Sequence, residues 1–311
     1  MPARLATVAL SLAAAASVSV AACSTAPPAA SRNLRSDHGR VIAVAASINA
    51  WGSILSQLGG SHVTETSIIT NPDTDPHAYE PTPADARTIA SARLFLENGI
   101  GYDPWAAQAA TANPDSSRSV VNVGQVVHVA VGGNPHRWYS PQDVQAVADA
   151  ITIALKKIDP GDAAYFGARR AAFETVGLAR YHQLTTAIRS RYAGTVVGAS
   201  ESIFAPLANA LGLNLVTPAG FLKSTSEGTD PSPKDLSTIA SQIADKVIKV
   251  YVFNSQNSTP DVAAQVAAAR AKGIPVSSVT ETLSPANASF QDWQCAQLQA
   301  LQAALSQAMG R

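Results

Sequence analysis

The chain has 311 residues, is 46% hydrophobic and 14% charged, and carries 22 basic and 22 acidic residues for a formal net charge of zero. That composition excludes an intrinsically disordered chain, and that length holds one large or two medium domains. The neutral balance leaves no electrostatic footprint for nucleic acid, so no nucleic-acid partner is expected.

The N-terminus has the pattern of an export signal. Arg4 supplies a positive start, and Leu5 to Val20 is an Ala/Ser/Val/Leu-rich run, as long as an h-region and short for a membrane-spanning helix. The run ends in "VAAC", where small residues precede Cys23 in a pattern that resembles the bacterial lipobox. Residues 1–22 are therefore expected to be a lipoprotein signal peptide. Cys23 becomes the lipid-modified first residue of an exported protein held on the outer face of the cell membrane. Residues 23–40 are rich in Ser, Ala and Pro without an apolar period, and read as a flexible tether. The other cysteine is Cys295, so an acylated Cys23 leaves no disulfide, and Cys295 is expected to act as a small hydrophobe on a helix.

From residue 41 onward, β-branched runs alternate with amphipathic ones. Val41–Ala46, Val63–Ile69, Arg93–Glu97 and Ser119–Val123 read as strands with helical segments between them, which predicts a parallel sheet with right-handed crossovers. The segment from Ser140 to Ile158 has Ser140, Pro141 and Asp143 at the start of a helix, then Val144, Val147, Ile151, Leu155 and Ile158 at helical spacing. A second helix is predicted from Ala163 to Tyr192, about 45 Å long at 1.5 Å per residue and able to bridge two lobes. Four more strands follow: Gly194–Ala199, the "LNLVT" run, Val247–Phe253 and Ile274–Val279. The expected architecture is α/β: two Rossmann-like lobes, 41–162 and 193–311, each with a four-stranded, mainly parallel sheet. One long rigid helix, 163–192, joins them.

Ligands of open parallel sheets gather beyond the carboxyl ends of the strands. Four potential metal ligands fall there. His77 sits in "DPHAYEPTPAD" after the second strand, stiffened by Pro76 and Pro81 and followed by Thr82, Pro83 and Asp85, a good helix start. His136 sits in "NPHRWYSP", again a proline, a histidine and a capped helix. Glu201 follows the fifth strand at a helix N-terminus, and Glu281 follows the last strand. Alone, each carboxylate suits a dipole-favoured or solvated position. Together, two imidazoles and two carboxylates complete the coordination sphere of a first-row divalent metal. His128 reads as a strand residue facing solvent; His38, His62 and His182 read as structural or incidental.

"DPHAYEPTPAD", "NGIGYDPW", "NPHRWYSP", "ESIFAPLANALGL" and "ETL" resemble, in order, the motifs of the zinc- and manganese-binding receptors of bacterial ABC importers. The resemblance spans nearly all of the chain beyond the tether. It implies two α/β lobes around a single metal site, in a monomeric lipoprotein, not an enzyme, that delivers its metal to ABC permease membrane subunits. The family's ligand positions fall on His77, His136, Glu201 and Glu281. Glu in the third position resembles the manganese and iron branch. Zinc receptors are the commoner label in the family, which tilts the expectation slightly to Zn2+ over Mn2+, with Fe2+ also admitted. The alternatives are a surface-anchored metal-dependent hydrolase with Glu80 or Glu227 as base, and a receptor for an organic solute such as a siderophore. A serine hydrolase at Ser200 lacks the second glycine of G-x-S-x-G.

Overall fold

The computed structural model describes residues 41–310, apart from Asp73 and residues 75–78. The expected signal peptide, the tether with Cys23, and His77 lie outside the described residues.

Two four-stranded sheets carry the architecture. The first contains β1 (Ile42–Ile48), β2 (Val63–Ile69), β3 (Leu94–Glu97) and β4 (Ser119–Asn122) in the order β2-β1-β3-β4. The second contains β5 (Val196–Ala199), β6 (Asn214–Leu215), β7 (Val250–Asn254) and β8 (Val276–Val279) in the order β6-β5-β7-β8. Every pairing is parallel. The two lobes thus repeat one strand order, although the sequence shows no repeat.

Period-two patterning explains how each sheet is covered on both faces. Val44, Ala46, Leu94 and Leu96 point into a central core, whereas Ala45 and Phe95 point into an outer cluster with Ile89 and Trp105. In the second lobe Val250 and Val252 point to the same central core, and Tyr251 to an outer cluster with Phe221 and Ile239. The central core runs without a break from Ile42 to Leu305 and includes residues of both lobes and of the helices between them.

Those helices are α5 (Pro141–Ile158), α6 (Ala163–Ala172) and α7 (Ala179–Tyr192). The bridge expected as one helix over 163–192 is helical throughout but interrupted by a π-helical turn at Phe173–Gly177, where the Leu178 N–H donates to the Phe173 carbonyl at 2.8 Å. Phe173 and Leu178 are both buried. Five residues apart, they would diverge on a regular α-helix of about 3.6 residues per turn; the wider turn brings both onto the core side. The last helix of the chain, Phe290–Met309, packs on α7 and also touches the helix Asn49–Gly59 of the first lobe. Cys295, on that last helix, is half-buried against the central core, and burial pushes its thiol pKa up.

One local expectation fails. His128 is not in a strand. The Asn122 side chain accepts the Gln125 N–H and starts a helical turn, Val123–Val126, directly after β4. His128 follows in a left-handed turn at φ 56° and is exposed. A polar cap at the strand end therefore outweighs the β-branched composition of "VVHVAV".

Candidate metal centre

β5 ends at Ala199 and β8 at Val279, so Glu201 and Glu281 each lie two residues beyond a strand of the second lobe. His136 comes from the first lobe, immediately before a single 3-10 turn, Arg137–Tyr139, that leads into α5. The three side chains are 0%, 1% and 3% exposed. One ligand atom from each lies within 4.8 Å of the other two. His136 Nε2 is 3.3 Å from Glu281 Oε1. Two ligands of a tetrahedral ion with bonds of about 2.1 Å stand about 3.4 Å apart, so this spacing matches one edge of such a site.

The imidazole is oriented by its neighbour Asn134. Asn134 Nδ2 donates to the Ser202 carbonyl of the opposite lobe at 2.6 Å, which turns its Oδ1 toward His136. Oδ1 accepts the His136 backbone N–H at 3.0 Å and lies 2.9 Å from ring Nδ1. An amide oxygen can only accept, so Nδ1 carries the proton and Nε2 presents its lone pair to the carboxylates. Burial pushes the His136 pKa down to about 4, with the Glu201 charge opposing and Arg137 adding to the fall. The ring is thus neutral near pH 7, the state a metal ligand needs.

The carboxylates are held by amides and a phenol. Asn254 Nδ2 donates to Glu201 Oε1 at 2.6 Å and to Glu281 Oε1 at 3.0 Å. Asn257 Nδ2 donates to Glu201 Oε2 at 2.7 Å, and the Tyr102 hydroxyl, from the first lobe, to Glu281 Oε2 at 3.2 Å. The turn carrying Glu281 is fixed from below, because Gln256 Oε1 accepts the backbone N–H groups of Glu281 and Thr282. Burial, and then the charge of Glu281, push the Glu201 pKa up to about 8. Two carboxyl groups that share one proton near pH 7, beside a neutral imidazole and all desolvated, leave a negative charge that a divalent cation could neutralise in place of the proton.

His77 lies outside the described residues, but the ends of its loop do not. Tyr79 donates to Asp85, and Thr82 with Asp85 forms a reciprocal capping box at the start of the helix Pro83–Ser91. At the other end, the Pro72 carbonyl accepts from Gln256 Nε2 of the second lobe.

Among the described residues, His62 and His182 have partners of their own and His128 stands in an exposed turn. His62 Nδ1 meets Asp162 at 2.7 Å and its ring stacks on Tyr165 at 3.9 Å. His182 pairs with Glu174 at 3.0 Å. Glu80 and Glu227 are both exposed, and Ser200 is buried with its Oγ accepting the Asn254 N–H. A strand-end argument singles out imidazoles and carboxylates, so the sequence does not mark Asn134, Asn254, Asn257 or Tyr102 as part of the site. Asn254, the last residue of β7, was open to the same strand-end argument.

Comparison with known proteins gives a consistent picture. The family model described as zinc-uptake complex component A, periplasmic, matches residues 44–304. A manganese-binding lipoprotein of Halalkalibacterium halodurans is 26% identical over 143 residues, 44% of this chain and 47% of that one. An iron-binding protein of Yersinia pestis is 28% identical over 151 residues, 47% of this chain and 48% of that one. The chain spans about half the length of these curated relatives. The structure of an Mn-bound mutant periplasmic metal-binding protein from Candidatus Liberibacter asiaticus superposes with a TM-score of 0.71 at 20% identity, covering 84% of this chain and 98% of that one; this likeness is one of fold. With the family model matched across both lobes, the chain belongs to the zinc-uptake complex component A family.

Proposed function

We propose that the protein is the extracytoplasmic receptor of an ABC importer, capturing one divalent transition-metal ion between its lobes and passing it to a membrane permease. The observation that carries this reading is the convergence of buried His136 from one lobe with buried Glu201 and Glu281 from the other. His77 is assigned as the fourth ligand, from a loop tied down at both ends. Four protein ligands leave no exchangeable position for a reactive water, so the site suits carriage rather than catalysis. An organic solute such as a siderophore would need a wide, unfilled cleft where these three side chains already meet.

Zn2+ is favoured slightly over Mn2+, with Fe2+ also a candidate. The family description names zinc, while the relatives named above carry manganese and iron. A mixed imidazole–carboxylate set accepts all three, and the intrinsic order of affinity places Zn2+ above Mn2+. On the same reading, residues 1–22 are removed on export and Cys23 is lipidated. Residues 23–40 tether a monomer whose lobes, 41–162 and 193–311, are linked by 163–192.

The test is elemental analysis of protein purified from its own host, together with titration by Zn2+ and Mn2+ against a chromophoric chelator. One equivalent of transition metal per chain is expected. Protein that is metal-free from its host and binds neither ion in the titration overturns the reading.

A further inference from the structure

The amides around the carboxylates have a function of their own. In the order β6-β5-β7-β8, β7 lies between β5 and β8. The end of β7 therefore stands between the turns that carry Glu201 and Glu281. That topology lets one side chain, Asn254, reach both carboxylates.

Asn254 cannot easily turn away. It is 0% exposed, its Oδ1 accepts the Gln256 N–H at 3.0 Å, and its own N–H donates to Ser200 Oγ at 3.0 Å. Both hydrogens of Nδ2 are committed, one to each Oε1. Asn257 is committed in the same way, to Glu201 Oε2 and to the Thr225 carbonyl at 3.1 Å. All four oxygens of the two carboxylates thus have a fixed donor once Tyr102 is counted. Turning Glu201 breaks bonds to both asparagines; turning Glu281 breaks bonds to Asn254 and Tyr102.

The ions differ in what they ask of such a pair. Zn2+ is satisfied by four ligands in a tetrahedron. Mn2+ favours octahedral, oxygen-rich coordination. With four protein ligands, an ion reaches a higher coordination number only if a carboxylate swings to offer its second oxygen or water enters. Selectivity between cations follows ligand number and flexibility. A pair of carboxylates locked in place resists the change that Mn2+ requires.

We propose that Asn254, supported by Asn257, sets the metal selectivity of this site by locking Glu201 and Glu281 in one orientation, favouring Zn2+ over Mn2+. The proposal rests on the assignment of these residues as metal ligands. The test uses the full chain and the metals alone. Zn2+ and Mn2+ affinities are measured by chelator competition for the native protein, Asn254→Ala and Asn257→Ala, with X-ray absorption reporting coordination number. Outer residues of this kind alter affinity by about 10- to 100-fold.

The expected result is a Zn2+/Mn2+ affinity ratio that falls about tenfold or more in Asn254→Ala and by a smaller factor in Asn257→Ala, with a higher coordination number for bound Mn2+. Asn257 is only half-buried, so its variant decides the matter should Asn254→Ala fail to fold. Equal weakening of both metals would overturn the proposal, leaving the asparagines a purely structural part. A native protein that binds neither ion would overturn it together with the ligand assignment, which separates the two failures.

Discussion

Metal capture by this site should release a proton. In the metal-free protein, Glu201 and Glu281 lie in one buried cluster, and burial with the Glu281 charge pushes the Glu201 pKa up to about 8. At pH 7 the pair therefore keeps one proton. His136, pushed down to about 4, keeps none. An incoming cation must displace the carboxylate proton, so one proton should leave per ion bound at pH 7. Affinity should then rise by about tenfold per pH unit as pH climbs toward about 8 and level off above, once the pair is ionised. Calorimetric titration with Zn2+ at pH 7, in two buffers of different ionisation enthalpy, counts the proton directly. The metal-free protein provides a second reading. Because the folded state holds this proton and the unfolded chain loses it above its ordinary value of 4.5, the folded state binds more protons across that interval. His136, lowered from 6.5 to about 4, holds fewer protons folded than unfolded and offsets this below about pH 6.5, so metal-free stability should fall as pH rises from about 6.5 through about 8, and saturating metal should reverse the trend. Binding without proton release, with affinity flat between pH 5.5 and 8, would refute the account of the carboxylate pair.

Further outcomes are expected. His77→Ala and His136→Ala should each weaken metal binding by at least about tenfold, since on the proposed reading each removes one of four donors; His128→Ala, in an exposed turn, should leave the chelator-competition curve unchanged. Metal should raise the melting temperature, because it binds only the folded chain: at a concentration of 1,000 times Kd the gain is about 4 kcal/mol, and a Tm that Zn2+ and Mn2+ do not move would exclude a tight site. Asn134→Leu should weaken metal binding by about 10- to 100-fold, through loss of the tautomer it enforces on His136. Cys23→Ala should move the protein from the membrane fraction to the soluble one, and retention in the membrane would point to another anchor.

Much of the fold was legible because it is written in short-range patterns. The alternation of β1 and β3 and the capped starts of α5 and of the helix at Pro83 follow from side-chain period and N-cap chemistry, and the strands formed within a few residues of their expected ends. His136, Glu201 and Glu281 were legible as candidates because a parallel sheet gathers function at its strand ends. The π turn at Phe173 was not, because it depends on which residues the core accepts from a helix that is polar on its other side. The turn at His128 was hidden by an apolar composition that a single Asn cap overrides. The amide network escaped for a different reason: nothing near Asn254 in sequence hints that it touches two glutamates, one 53 residues before it and one 27 after. That contact exists only once the strand order is known.

The strand order also bears on how the site can work. The two lobes repeat one topology, and the three residues correspond only in part: His136 and Glu281 each lie beyond the edge strand that ends its sheet, β4 or β8, whereas Glu201 follows β5, second in its sheet. A site built this way is no product of simple symmetry and must be positioned by direct contact between the lobes. Such contacts are abundant. Tyr102 reaches Glu281, Asn134 reaches the Ser202 carbonyl, and the side chains of Gln57 and Gln291 exchange two hydrogen bonds at 3.0 and 2.9 Å. Beneath them lies one continuous core, in which Tyr139 of the first lobe packs against Trp293 of the second. A wide hinge opening would expose that core and break these bonds together. On the proposed reading, an ion would then reach the site by a movement smaller than hinge opening, and the amides that hold the carboxylates would act on the step that chooses it.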